Sequence, residues 1–284
     1  MATTGLPPET DADIARVTEA LAMITPRWNV RILLALSGQP LRYTELADRF
    51  PWLQSGQLHP KLHALCDAGL VERTEHSTRH VTYGHTDRGT ALLPVLPLIV
   101  AWAEEHLEKP DRPLSAIEQI EDSLTLFTRR HAAAILWVLK SRGEASGRAL
   151  ARLVMPDSDW TNIYPPLRQL VADGLVDTAG IGQPYRLSAA GAGLGPVFGA
   201  LSAWSAGQPL AQARRHPLWG RRTDSTSAPQ KWISHQSRLT PPTTAPAQVK
   251  TGPLIPPGWQ HGDLFSHATP ARPNTALPAG GARR

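Results

Sequence analysis

The stretch Q-L-H-P-K-L-H-A-L-C-D-A-G-L-V-E-R, residues 57–73, decides the fold of the first half of the chain. Leu58, Leu62 and Leu65 recur at the spacing that places side chains on one face of an α-helix. Gly69 then supplies the left-handed residue on which helices commonly end. Pro60 is tolerated if the helix begins near Gln57, since the N–H groups of a first turn have no helical partner. The stretch therefore predicts a helix with one buried face and one polar face.

A β-hairpin is predicted directly after this helix. Residues 70–74 and 81–85 are rich in strand-forming side chains, and polar residues that include 77–79 separate them. A hairpin that follows a helix-turn-helix is a wing. The other predicted elements of this half are helices over 11–23, 29–36 and 44–50 (Thr44 capping the last), a strand over 41–43, and one long apolar helix over 87–106 capped by Thr86.

The same pattern occurs a second time, about 103 residues further along the chain. I-L-L-A-L (32–36) matches I-L-W-V-L (135–139), and L-C-D-A-G-L-V-E (65–72) matches L-V-A-D-G-L-V-D (170–177). The matches keep the same order along each half. A duplicated domain is the simplest interpretation.

We therefore expect a first unit over 10–110 and a second over 115–208. In the second recognition helix Asn162 is the expected cap, and Pro165 and Pro166 fall in the opening turn. Beyond about Gly207 the sequence turns to Pro, Thr, Gln, Ala and Gly, with Trp219, Trp232 and Trp259 isolated among them. The predicted fold class is mainly α with small β wings: tandem winged helix-turn-helix domains followed by a disordered, Pro-rich basic tail over 209–284.

Charge and composition narrow the function classes. The net charge is +5, but residues 211–284 carry about +8 and residues 1–210 about −3, so the high pI says nothing about nucleic-acid binding by the folded part. A single cysteine excludes an internal disulfide, and no apolar run is long enough to span a membrane. No secretory leader is seen, so a cytoplasmic location is expected. No phosphate-binding loop, nucleophile elbow or zinc-protease motif occurs, so we predict neither an enzyme nor a cofactor.

The first half resembles the HxlR-type winged helix-turn-helix regulators. The resemblance rests on P-R-W-N-V-R-I-L-L-A-L (26–36), P-L-R-Y-T-E-L (40–46), the stretch over 58–73, and V-T-Y-G-H-T-D-R-G-T-A-L-L-P-V-L (81–96). The second half is a divergent copy whose I-Y-P-P-L-R-Q-L (163–170) is similar to PadR- and MarR-type regulators. The resemblance implies a homodimer on double-stranded DNA, paired through first and last helices, with the recognition helix in the major groove and the wing on the backbone. Here the two units pair within one chain, or whole chains pair.

Candidate DNA contacts lie on the polar face of the recognition helix and on the wing. Glutamine can bond in pairs to adenine, and histidine, serine and lysine can serve bases or phosphates. The helix offers Gln54, Ser55, Gln57, His59, Lys61 and His63, and the strands offer Arg42, Arg73, His76, Arg79 and His80. Several phosphate contacts predict that the affinity for DNA falls strongly as the salt concentration rises.

Several alternatives stay open from sequence. The second unit offers Thr161, Asn162, Tyr164 and Arg168 and, on its wing, the single cation Arg186. We hypothesise that unit one reads DNA and that unit two supplies pairing surface, with secondary DNA contacts from unit two left open. The rival function is a winged-helix protein-interaction or effector-sensing module that does not read DNA. We interpret Cys66 as structural rather than a redox switch, and the pair His59 and His63 as too small a set for a metal. The tail is either a solubilising extension or a tether to DNA through its arginine pairs.

Overall fold

The computed structural model describes residues 5–53, 55–77, 80–108 and 111–220. The first set of elements, called unit one, is α1 (Pro8–Ile24), α2 (Asn29–Leu36), β1 (Leu41–Arg42), α3 (Tyr43–Arg49), α4 (Ser55–Asp67), β2 (Val71–Ser77), β3 (His80–His85), α5 (Asp87–Leu92) and α6 (Leu96–His106). Unit two is α7 (Ala116–Phe127), α8 (Ala132–Arg142), β4 (Glu144–Ala145), α9 (Gly147–Val154), α10 (Tyr164–Ala172), β5 (Val176–Thr178), β6 (Tyr185–Leu187), α11 (Ala189–Gly193) and α12 (Gly195–Ser205). The predicted fold class, mainly α with small antiparallel sheets, is confirmed. No helix in the described part of the chain is long and apolar enough to cross a membrane.

Each unit contains one small antiparallel sheet. The strand orders are β1-β3-β2 in unit one and β4-β6-β5 in unit two. Tyr83 at the centre of the first sheet lies between Leu41 and Arg73, and Tyr185 holds the same place in the second. The hairpin that sequence predicts as a wing is therefore present in both units.

Two predictions about helices of unit one were wrong in detail. The helix predicted to start at Thr44 begins at Tyr43, and its first turn is closed by Glu45, whose carboxylate accepts the backbone N–H of Arg42 at 2.6 Å. The predicted long helix over 87–106 is interrupted by a 3₁₀ turn at Leu93–Val95. Pro94 and Pro97 account for the break because each lacks the N–H that a continuous helix needs at that point.

The two recognition helices also differ from expectation. Helix α4 begins at Ser55, two residues before the predicted start, so Pro60 lies inside the helix rather than in its first turn. In unit two, Asn162 does not cap α10. A 3₁₀ turn over Trp160–Ile163 precedes that helix, and the Asp159 carboxylate caps the turn by accepting the backbone N–H of Thr161 at 2.8 Å. Pro165 and Pro166 do fall in the opening turn, as predicted.

The duplication extends to unusual backbone positions. A left-handed residue precedes the second helix of each unit: Trp28 has φ 80° and His131 has φ 60°. Gly89 and Gly191 are also equivalent, because a Cβ on either would lie too close to the carbonyl oxygen of the leucine just before a strand, 2.0 Å from that of Leu70 and 2.1 Å from that of Leu175. Strained or crowded positions are rarely reproduced by chance, so the two units share one backbone design.

The units pack through their first and last helices. Contacts join α1 to α12, α6 to α7, α1 to α7 and α6 to α12, which is the reciprocal pattern of a twofold axis. Two equivalent hydrogen bonds cross the contact: Trp102 Nε1 donates to the carbonyl of Ala190, and Trp204 Nε1 donates to the carbonyl of Arg88, each at 2.9 Å. Trp102, Trp137 and Trp204 are buried in the core, and Trp28 is half-buried against it.

The start of the predicted disordered tail is folded, which corrects the expectation for residues 209–220. A 3₁₀ helix covers Leu210–Arg215, and Trp219 is 3% exposed, its ring 4.8 Å from that of Trp137. We call residues 209–220 the strap. The rest of the predicted tail, 221–284 with Trp232 and Trp259, lies outside the described residues.

A buried carboxylate ties the strap to both units. Asp13 of α1 accepts hydrogen bonds from His216 Nε2 at 2.8 Å, from Trp137 Nε1 at 3.2 Å, and from the Ser202 hydroxyl. Burial alone raises the pKa of the Asp13 carboxyl, but the hydrogen bonds from His216 and Ser202 outweigh burial and hold it below the usual range. The strap therefore fastens to a charged group at the centre of the inter-unit contact.

Candidate nucleic-acid interface

Helix α4 presents one face to the core and the opposite face to solvent. Leu58, Leu62 and Leu65 are at most 1% exposed. Gln57 and His59 are exposed on the other side, together with His63 one turn further along. The leucine side thus anchors the helix, and its polar side is open to a ligand, as the sequence predicts.

Two of the predicted contacts on this helix already have partners. Lys61 is half-buried, and its ammonium donates to the backbone carbonyl of Arg27 at 2.9 Å. His63 Nδ1 lies 2.7 Å from a carboxylate oxygen of Asp67, a pair that is largely exposed. Gln54 lies outside the described residues, and so does the side chain of Ser55. The structure therefore leaves Gln57 and His59 as the best-presented members of the predicted set.

The wing brings its predicted residues close to the bridge strand. Arg42 is exposed and pairs across the sheet with Thr82, whose hydroxyl lies 3.0 Å from His76 Nε2. His76 in turn stacks on His80, with 4.8 Å between ring centroids. These residues form one polar edge beside β1.

The wing of unit one is less positively charged than its sequence suggests, because one of its arginines is paired with an acid. Arg73 is exposed but forms an ion pair with Glu75 two residues along the same strand, which raises the pKa of its guanidinium. Arg79 lies outside the described residues. Of the other cations predicted on this surface, Arg42 is exposed, and Lys61 is turned towards a backbone carbonyl.

Comparison with known proteins bears directly on this arrangement. A family model described as HxlR-like helix-turn-helix matches residues 23–111. The HTH-type transcriptional regulator YodB of Bacillus subtilis is 30% identical over 98 residues, which span 34% of this chain and 88% of that protein. The chain belongs to the HxlR-like helix-turn-helix family.

Further relatives agree with the assignment of unit one to the HxlR-like family. The uncharacterized HTH-type transcriptional regulator YdzF of the same bacterium is 33% identical over 85 residues, 29% of this chain and 78% of that protein. A solved structure of the reduced form of YodB shares 29% identity and covers 37% of this chain and 99% of its own, with a TM-score of 0.32. The matched family region lies within unit one and the linker, so the HxlR-like chain is a DNA-binding helix-turn-helix regulator in general character.

Sequence reasoning missed an aromatic and cationic cluster beside the recognition helix of the HxlR-like unit. Trp52, in the turn before α4, is 43% exposed and lies 6.2 Å from the ring of Trp28. The guanidinium of Arg27 lies 5.0 Å from the Trp28 ring centroid, and that of Arg31 lies 5.1 Å from it. The signal was available in the run P-R-W at residues 26–28, but only the fold shows that this turn lies against α4.

Cys66 offers neither a metal site nor an activated thiol. It is half-buried near the end of α4, and burial is the main reason that its pKa is raised, with a further contribution from Asp67. A raised pKa lowers the thiolate fraction, on which cysteine reactivity depends. Among the described residues no group of His, Cys, Asp and Glu has the arrangement to hold a metal ion.

Proposed function

We propose that unit one is a sequence-reading DNA-binding domain that inserts α4 into the major groove and lays the β2–β3 hairpin along the backbone. The observation that carries the proposal is the open polar face of α4 opposite a fully buried leucine face. An α-helix fits the major groove of B-DNA, and side chains on its outward face can reach base edges.

The proposed roles follow from side-chain chemistry. Gln57 is placed to bond in pairs to an adenine, while His59 and His63 read bases or phosphates. Lys61 reaches a phosphate by exchanging its bond to the Arg27 carbonyl for one to DNA. On the backbone side the proposal assigns phosphate contacts to Arg42, Arg73, Arg79 and His80, and further helix contacts to Gln54 and Ser55.

We further propose that one chain is the working unit. The reciprocal contacts between first and last helices give each chain the pairing that the family resemblance implies for two chains. The domains are then 10–110 and 115–208, extended by the strap. The protein is then a cytoplasmic transcriptional regulator rather than an enzyme. A whole-chain homodimer is the alternative outcome, and light scattering of the free and DNA-bound protein separates the two.

The test of the proposed function is selection of bound duplexes from a random pool, followed by binding assays with variants. Gln57→Ala and His59→Ala are expected to weaken the selected site by roughly 1–3 kcal/mol each and to relax base preference at one position. Gln212→Ala, an exposed glutamine of the strap, is the matched control and keeps wild-type binding. Absence of any preferred duplex would instead support the protein-interaction alternative.

A further inference from the structure

The pseudo-twofold packing leaves the recognition helix of unit two as accessible as that of unit one. The units meet mainly through the first and last helices of each, and α2, α5, α8 and α11 also contribute. Helix α10 packs instead on its own 3₁₀ turn and on β5, as α4 packs on its own unit. The buried residues of α10, Leu167 and Leu170, match Leu62 and Leu65 of α4. Both recognition helices are therefore presented by the same framework.

The outward residues of α10 and of the 3₁₀ turn before it differ in chemistry from those of α4. Aligning the buried leucines sets Asn162 against Gln57, Tyr164 against His59, and Arg168 against His63. Asn162 and Arg168 are exposed, and Tyr164 is half-buried. Arginine bonds in pairs to guanine, whereas glutamine bonds in pairs to adenine. The two helices thus offer different sets of base contacts.

The cations of the second helix-turn-helix differ from those of the first in their partners rather than in number. Residues 146–173 carry three arginines and three aspartates, and residues 42–68 carry three cations and three acids, so neither segment has a net charge. The side chains of Arg152 and Arg168 are exposed and make no hydrogen bond or ion pair to another described residue. In unit one, by contrast, Lys61 and Arg49 each donate to a backbone carbonyl. Arg152 and Arg168 are therefore available to phosphates.

The turn before α10 adds a third feature. Trp160 is 43% exposed and lies under the guanidinium of Arg148, which is 5.0 Å from the ring centroid. Gly147 allows the Tyr164 ring to approach α9, since a Cβ there would lie 2.9 Å from that ring. The tip of the second wing carries the fully exposed Ile181 between Gly180 and Gly182 and so presents no cation to DNA. Contacts to the DNA backbone in this unit are therefore expected from α9 rather than from the tip of the wing.

From these observations we propose that the α9–α10 surface of unit two binds its own DNA half-site, different in sequence from the half-site of α4, so that one chain reads a non-palindromic operator. The proposal rests on the proposed function of unit one and goes beyond the hypothesis that unit two mainly supplies pairing surface, because it gives unit two a sequence-reading role of its own. The occupant is duplex DNA, favoured by the unpaired arginines and by the symmetry that relates this surface to α4.

The experiment uses the full chain on the duplex selected from a random pool. The selected site is expected to contain two unlike half-sites about one helical turn apart. The double variant Arg152→Ala/Arg168→Ala is expected to lose about 10- to 100-fold in affinity, to reduce the salt slope by roughly 2, and to relax preference in one half-site only. Arg112→Ala, an exposed arginine of the linker, is the matched control and leaves binding unchanged.

The outcomes separate the two proposals. A single half-site, a palindrome of two identical half-sites, or a double variant that binds like Arg112→Ala overturns the proposal for unit two and leaves that for unit one standing. If the wild-type chain shows no sequence preference at all, the proposals for unit one and for unit two are both overturned. Far-UV circular dichroism of each variant shows that the fold is kept, and a second variant, Asn162→Ala, removes an exposed base contact without removing charge.

Discussion

Removing the Trp219 ring tests whether the strap belongs to the folded protein. Trp219 is 3% exposed, and its ring centroid lies 4.8 Å from that of Trp137 and 5.1 Å from that of Phe198. The ammonium of Lys140 lies 5.6 Å from the same ring. Truncating a buried tryptophan to alanine costs about 3–5 kcal/mol, because transfer free energy is lost and a cavity remains. Trp219→Ala is expected to lower the free energy of unfolding by that amount.

A matched variant separates the contribution of the packed ring of Trp219 from that of its indole N–H. The Trp219 indole N–H is buried and has no hydrogen-bond partner in the described part of the chain. Trp219→Phe keeps an aromatic ring against Trp137 and removes that unpaired donor, so its loss of stability should be smaller, about 1 kcal/mol. Urea unfolding followed by far-UV circular dichroism is the assay, since nine tryptophans would confuse a fluorescence signal. If the free energy of unfolding of Trp219→Ala lies within about 1 kcal/mol of the wild-type value, the strap is not part of the core.

Three further predictions concern single residues. The pKa of the Asp13 carboxyl lies below its ordinary 3.8, so the ionised carboxylate stabilises the fold above that pH, and this stabilisation disappears as pH falls through the lowered value. Asp13→Asn should be less stable than wild type at pH 7, and its free energy of unfolding, measured by urea titration, should fall less steeply in acid. Parallel plots of unfolding free energy against pH for the two proteins would contradict this. Gly89→Ala and Gly191→Ala should each cost about 2 kcal/mol or more, since the new Cβ meets a carbonyl oxygen in both units; a clear inequality in urea midpoints would argue against equivalent roles. Cys66 should react with a thiol reagent at neutral pH more slowly than free cysteine and should speed up in urea, because burial raises its pKa; faster reaction in the native protein would reverse the interpretation.

Local pattern was enough to predict most elements, because each signal involves neighbouring residues. The leucine spacing of α4, the helix end at Gly69 and the Thr86 cap, whose hydroxyl accepts the Gly89 N–H at 3.0 Å, were all confirmed. The strap was missed because its local composition is polar and its burial depends on residues far away in sequence, Asp13 and Trp137 above all. Burial through long-range contacts overrides local composition here.

In the candidate site, too, features set by local sequence were predicted and features set by long-range contacts were not. Exposure of Gln57 and His59 follows from helical periodicity and was predicted, whereas the partners of the cations were not. Lys61 meets the Arg27 carbonyl only because the turn before α2 lies against α4. The ion pair of Arg73 with Glu75 depends on same-face placement along β2, which sequence suggests but does not establish. That the side chains of Arg152 and Arg168 have no hydrogen-bond or ion-pair partner among the described residues likewise became visible only in three dimensions.

Photo-crosslinking from position 59 tests the central claim most directly. A photoreactive amino acid replaces His59 in the full chain, which is then irradiated on its selected duplex, and the crosslinked bases are mapped. The account predicts crosslinks to bases of one half-site, and none from the same amino acid placed at the exposed Thr125 of α7. Bound duplex with no crosslink from position 59, or equal crosslinking from both positions, would contradict the placement of α4 in the groove.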